Sequence, residues 1–506
     1  MVGRALAGCA AAAAVALGAL LGEAPARADG NLQNVNHIII VMMENHSFDN
    51  YLGVLAYVPG TPYHSANGYG KNRACLATDH TCVDGLSCRI PRTGGVLKCR
   101  NANTSNTKGR VKVFHETNYC VGPDLDHAWD GTHREVNFRN PNDTLKAARN
   151  NGFVLQNALT ELPDQAVDHD TMGYYTDLEL PFYYSLAENF AIGDRYFASV
   201  LGQTFPNRAY FAAATSFGHL TTNEIIGGVA QGGYKPINGT IYDLMDQQNV
   251  SWTDYYSDLP YSRIFAPASS HQQSVTQFAA DASAGTLPAV SFVDPSALPT
   301  QTINGIVYET DEHPPNDIRA GQYFVSTIIT ALRNSPSWND SLLILTYDEH
   351  GGFYDHAIEP PALAPDNIAP GQCADLSSPP ASTVPGGGID CSHSSTIDAP
   401  ALCPDFMPLA PYPADCATFN QYGVRLPFIA VSPFAKPHYV SHTVGDHTSL
   451  LALIEKRFLG GTHMTARDAA ADTLEDMFDF DNSPSLDLTI PTAPLPSAAD
   501  TGCPFS

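Results

Sequence analysis

Four apolar runs punctuate the chain: residues 37–43 (HIIIVMM), 289–293 (AVSFV), 342–346 (LLILT) and 426–431 (LPFIAV). None alternates with polar residues, which is the signature of strands buried on both faces. Between the runs the apolar period changes to that of a helix. Phe324, Val325, Ile328, Ile329 and Leu332 share one face, and Asn334 and Pro336 end it. Residues 448–458 (TSLLALIEKRF) form another such segment. Strands alternating with helices predict an α/β fold around a mostly parallel sheet. Residues 60–122 and 359–420 break the pattern. They are rich in Gly, Pro, Ser and Cys and read as insertions in a domain spanning 29–481, before a Pro-rich tail at 482–506.

The N-terminus reads differently. Arg4, an apolar stretch over 5–21 and the small-residue pattern Ala26-Arg27-Ala28 predict a cleaved signal peptide over 1–28, hence a secreted or periplasmic protein. No later segment has the roughly 20 continuous apolar residues of a membrane span. Of eleven cysteines, Cys9 lies in this leader, which leaves an even number. They cluster at 75–120 and 373–416, with Cys503 in the tail, and read as disulfide staples for the two insertions. The net charge of −26 excludes a nucleic-acid partner. It also opposes steady attachment to anionic membranes, while leaving transient contact with a zwitterionic lipid surface open. No feature predicts a protein partner.

Charge is concentrated where the strands end. In open α/β sheets, ligands sit beyond the carboxyl ends of the strands. The run 37–43 leads into Glu44-Asn45, and 342–346 leads through Tyr347 into Asp348-Glu349. Adjacent strand residues point to opposite faces, so Asp348 and Glu349 converge only if the chain turns, as Gly351-Gly352 permit. Three converging carboxylates repel one another. A hard divalent cation (calcium, magnesium or manganese) resolves this, although either pair alone also fits a solvated strand end. In residues 199–210 (SVLGQTFPNRAY), Pro206 suits a first helical turn. Thr204 would then lie at a helix N-terminus, as a nucleophile toward a phosphoryl group or merely as a cap. Asn207 and Arg208 would hold the phosphate or brace the loop. His127, His313, His350 and His356 are candidates to protonate a leaving alkoxide or contact the phosphoryl oxygens. Of these, His350 and His356, which flank the double glycine, are expected to bind substrate. His447, just before a helix, ranks last.

Six motifs then fall in a telling order: ENHSFDNYLG (44–53), QTFPNR (203–208), DEHPPND (311–317), TYDEHGGFYDH (346–356), GVRLPFIAVSP (423–433) and DHTSLLALIEKRF (446–458). Together they resemble the phosphoesterase family of phosphatidylcholine-preferring phospholipases C and related acid phosphatases. The resemblance implies an alkaline-phosphatase-like three-layer α/β/α fold. It implies one divalent ion on Glu44, Asn45, Asp348 and Glu349, Thr204 as a nucleophile forming a phospho-enzyme, and His127 and His313 at the phosphate or leaving group. His46 stands where the family often has arginine. The implied activity is a metal-dependent phosphoric ester hydrolase. A phospholipase C cutting the glycerol-side bond of phosphatidylcholine-like lipids is favoured over a broad-specificity acid phosphatase acting on small phosphate esters. A non-catalytic binding protein on the same fold is a remote third. A choline headgroup would want an aromatic cage, for which Tyr255, Tyr256 and Tyr261 are candidates beside the plainer reading of strand packing.

Overall fold

The computed structural model describes residues 31–66, 74–91, 96–106, 108–120, 124–160, 170–222, 233–265, 269–374, 398–403, 405–406, 412–481, 493 and 495–496. The predicted signal peptide, most of the Pro-rich tail and the middle of the second insertion lie outside them.

Eight strands form the central sheet. In chain order they are β1 (His37–Met43), β2 (Ala191–Gly193), β3 (Trp252–Tyr256), β4 (Gln272–Ser274), β5 (Val290–Asp294), β6 (Ser341–Tyr347), β7 (Phe428–Val431) and β8 (Tyr439–Ser441). Their spatial order is β4-β3-β5-β1-β6-β7-β2-β8. Every pairing is parallel except the two made by β7. All of β6, and β1 from Ile38 onward, is buried, so both faces of the sheet are covered and no alternation survives in the sequence. Helix Ile318–Arg333 packs on Val275–Ala284, and helix His447–Phe458 packs on Thr204–Ala213. The first of these begins where Asp317 accepts from Arg319 N–H, just after the two prolines of DEHPPND.

The antiparallel strand has a consequence for the site. Because β7 runs against β6, it starts where β6 ends. Arg425, three residues before β7, is thereby delivered to the edge carrying Asp348 and Glu349. The first insertion consists of short two-stranded ribbons, among them His64–Ser65 with Cys82–Val83 and Cys88–Arg89 with Cys99–Lys98. Disulfides Cys75–Cys82 and Cys88–Cys99 staple it, and Cys403–Cys416 lies in the second insertion. Cys120 and Cys373 are also disulfide-bonded.

Candidate active site

Strands β1 and β6 are parallel neighbours, with Met43 opposite Tyr347. Glu44 and Asp348 are the next residues on each, so they leave the sheet side by side. Asp348 N–H donates to Met43 O at 3.1 Å. Asn45 then turns back in the left-handed region, φ +67°, and its N–H donates to Asp348 Oδ1 at 3.3 Å. The second turn closes on the first. Gly351 has φ +59°, and a Cβ there would lie 2.3 Å from Asn45 O, so only glycine allows the approach.

The result is a buried cluster of three carboxylates and one amide. Arg208 spans it, donating from Nε to Asp348 Oδ2 at 3.1 Å and from Nη2 to Glu44 Oε1 at 3.0 Å. The ring of Tyr261 lies 3.6 Å from the Arg208 guanidinium carbon, and its hydroxyl donates to the same Glu44 oxygen. Glu349 Oε2 accepts from Gly351 N–H at 2.7 Å. Among the described residues its other oxygen has no hydrogen-bond partner; it lies 3.8 Å from His127 Nε2. Neither polar side-chain atom of the fully buried Asn45 has a partner among the described residues. Buried polar groups are almost always hydrogen-bonded, and leaving them bare is costly. A bare amide and a bare carboxylate oxygen beside two further carboxylates are what a hard, oxygen-coordinated cation would satisfy. The residues present therefore fit such an ion.

Burial, opposed by Arg208, pushes the Asp348 carboxyl up to about 8. Glu349 goes the other way: burial would raise it, but His127 and His350 outweigh that and lower it.

Helix Thr204–Ala213 supplies the next group. Its N-cap is Gln203, so Thr204 is not the cap. Thr204 lies one turn before Arg208 and shares its face, the face turned to the carboxylates. Its hydroxyl makes no hydrogen bond among the described residues. Asn207 does not reach toward a ligand. Its amide donates to Gly202 O and Gln203 O and accepts from Val200 N–H, so it braces the loop that presents Thr204. Arg208, expected at the phosphate, is instead engaged by Glu44 and Asp348.

The histidines separate into three places. His127 and His313 face each other edge-on, with ring centroids 6.1 Å apart. One ring nitrogen of each lies within 4.8 Å of a shared Asp124 oxygen. Each donates Nδ1–H to a backbone carbonyl, Leu125 O and Pro314 O respectively, which leaves Nε2 for chemistry. Burial works against charge on both. Glu349 and Asp124 outweigh it at His127, and Asp124, Glu44 and Asp311 outweigh it at His313, so each is held up to about 9.

His350 and His356, expected to bind substrate, each have both ring nitrogens beside carboxylates. His350 lies between Glu135, 2.8 Å from Nε2, and Glu349, 3.4 Å from Nδ1. It supports Glu349 from behind. His356 has both ring nitrogens on carboxylates, Asp49 at 2.7 Å and Asp84 at 3.3 Å. His447 is more than a cap neighbour: Nε2–H donates to Asp348 O at 2.7 Å, and Nδ1 lies 3.1 Å from the Tyr196 hydroxyl. Burial lowers His447 to about 4, so the ring is neutral at neutral pH and Nδ1 accepts from the Tyr196 hydroxyl. Arg208 covers the ring of Tyr261, and Tyr255 is buried against Phe278, so neither ring offers a free face to a headgroup cage.

Carboxylates and an amide at parallel strand ends, a helix-borne hydroxyl and two imidazoliums are a hydrolase's equipment. Residues 35–459 match the model of the Phosphoesterase family, and the chain belongs to that family. It is a phosphoric ester hydrolase. Among its relatives is non-specific phospholipase C1 of Arabidopsis thaliana, 28% identical over 471 residues, covering 90% of this chain and 72% of the relative. Phospholipase C B of Mycobacterium tuberculosis is 28% identical over 527 residues, covering 94% and 87%. No described helix is long and apolar enough to cross a membrane.

Proposed function

We propose that this protein is an exported, metal-dependent phospholipase C on an alkaline-phosphatase-like fold, cutting the glycerol-side phosphodiester bond of phosphatidylcholine-like lipids. The observation that carries the mechanism is the unpartnered Thr204 hydroxyl, held at a helix N-terminus one turn from the Arg208–carboxylate cluster. Names of relatives from two organisms favour phospholipase C over acid phosphatase.

Glu44, Asn45, Asp348 and Glu349 would hold one divalent ion, which supplies charge stabilisation at the phosphoryl oxygens and favours the threonine alkoxide. Thr204 Oγ1, its proton released to solvent and recovered from there when the threonine is freed, attacks phosphorus and forms the Thr–O–P bond as the P–O bond to diacylglycerol breaks. The leaving alkoxide takes a proton from an imidazolium, His313 or His127. Helix N-terminal amides face the developing negative charge. In the second half, water gives a proton to the now neutral imidazole and attacks phosphorus. The phospho-headgroup departs and Thr204 regains its proton.

The test compares hydrolysis of phosphatidylcholine with that of a simple phosphomonoester, each with and without chelator. Chelator-sensitive release of diacylglycerol with weak monoesterase activity is expected. Preference for the monoester would make this an acid phosphatase, and chelator-resistant turnover would contradict the metal assignment.

A further inference from the structure

Between Asp311 and His313 lies a carboxylate that the proposed chemistry does not use. Glu312 is fully buried and its backbone is left-handed, φ +75°, which is rare for a residue with a long side chain. Three phenols converge on its carboxylate: Tyr51 at 2.8 Å, Tyr347 at 2.6 Å and Tyr183 at 2.6 Å. Its backbone carbonyl accepts from His46 Nε2–H at 3.0 Å. His46 in turn stacks on Tyr51 and Phe353, with centroids 4.2 and 5.0 Å apart. Gly321 makes room for the side chain, since a Cβ there would lie 2.1 Å from Glu312 Cγ.

The three phenols come from places that matter. Tyr51 ends the short helix that follows Glu44-Asn45, and Tyr347 immediately precedes Asp348. Tyr183 comes from helix Pro181–Asn189. Glu312 itself is bonded to His313. One carboxylate thus joins both segments that carry the proposed cation ligands to the loop that carries the proposed acid. Among the described residues no cation balances this carboxylate and phenol dipoles alone satisfy it, and burial raises it to about 7 against those hydrogen bonds. A core needing only filling would hold an apolar side chain here at lower cost.

We propose that Glu312 is a positioning residue: the tyrosine-bound carboxylate locks the left-handed turn that aims His313 at the leaving group. This rests on the reading of His313 as proton donor.

Tyr183→Phe removes one of the three bonds and spares every residue of the proposed machinery. It should lower kcat for phosphatidylcholine roughly tenfold, with KM and metal content unchanged. Gly321→Ala, which displaces the Glu312 side chain without touching a tyrosine, should do the same. The decisive readout is a double-mutant cycle with His313→Asn. If Glu312 acts through His313, Tyr183→Phe and Gly321→Ala each cost less than about twofold in the His313→Asn background. A full tenfold loss there, or an unchanged kcat in both single variants, would overturn the proposal. Failure of the underlying reading looks different: His313→Asn alone would then turn over at the wild-type rate.

Discussion

The same two turns, 44–51 and 348–356, build two buried acid clusters of opposite character. One is the site around Glu44, Asp348 and Glu349. The other surrounds Arg425. Its guanidinium donates to Asp355 Oδ2 at 3.2 Å, to Asp49 Oδ1 at 3.1 Å and to the backbone oxygens of Asp84 and Asp194. His356 covers Asp49 and Asp84, His442 covers Asp194, and Asp84 N–H donates to Asp194 Oδ2. Among the described residues, every carboxylate oxygen of these four aspartates accepts a hydrogen bond except Asp84 Oδ2, which faces Arg195 at 3.8 Å, whereas the first cluster leaves both polar side-chain atoms of Asn45 and one oxygen of Glu349 without one. Acid density therefore does not distinguish a binding site from a structural clamp. What distinguishes them is whether the protein's own donors suffice. The clamp is self-sufficient and ties the two turns together, and the site is left short by an amount that suits a cation.

Thr204→Val should separate the two most sharply. It keeps the side chain's shape and breaks no hydrogen bond, so activity should fall by several orders of magnitude while thermal unfolding and metal content stay put. Near-normal turnover would mean that water attacks phosphorus directly. Arg425→Met acts on the other cluster. It leaves buried carboxylates uncompensated and should cost about 3–5 kcal/mol of stability, read by denaturant unfolding, with activity lost only as the fold is lost. A stable Arg425→Met protein would refute the clamp. Asn45→Gly is the counterpart within the site. It removes two bare polar atoms and suits φ +67°, so the metal-free protein should unfold no more easily than wild type, or be up to about 2 kcal/mol more stable. Its cation affinity, by calorimetric titration, should nevertheless fall by at least about tenfold. The smallest effect is on pH. Neighbouring carboxylates hold His127 and His313 up, so they can donate a proton at neutral pH and lose the ability as pH rises through their raised values. The kcat for phosphatidylcholine should fall along a basic limb, whereas an ester with a phenolate leaving group that needs little protonation should show a weaker limb.

Much of this was legible in the chain. Runs 37–43 and 342–346 lie in β1 and β6, and the turn residues Gly351 and Gly352 both have positive φ. Continuous apolar runs and paired glycines are local signals. Strands β2, β4 and β8 were not legible, since three residues leave no period, and β3 (WTDYY) is partly polar. Residues 196 and 197 form isolated bridges to Gly445 and Arg425, single residues of two distant loops, which leave no strand pattern in the sequence. Within the site, the convergence of the strand-end carboxylates and the place of Thr204 at a helix N-terminus follow from register and helix start. The division of labour among the histidines does not, because it depends on carboxylates far away in sequence: Glu135 for His350, and Asp49 and Asp84 for His356. Glu312 was passed over, and Tyr261 was considered only for a headgroup cage, for the same reason. Only the fold shows that one caps Glu44 and that three phenols meet on the other.

The most direct test of the account is to trap the covalent step. Wild-type protein should be mixed with a phosphate-labelled substrate, quenched in acid during the first turnover and digested, and the labelled peptide sequenced. The account predicts phosphate on Thr204, in the peptide containing QTFPNR, and none in Thr204→Val. Label on a histidine, or a burst-free reaction with no labelled peptide under conditions of full turnover, would contradict it.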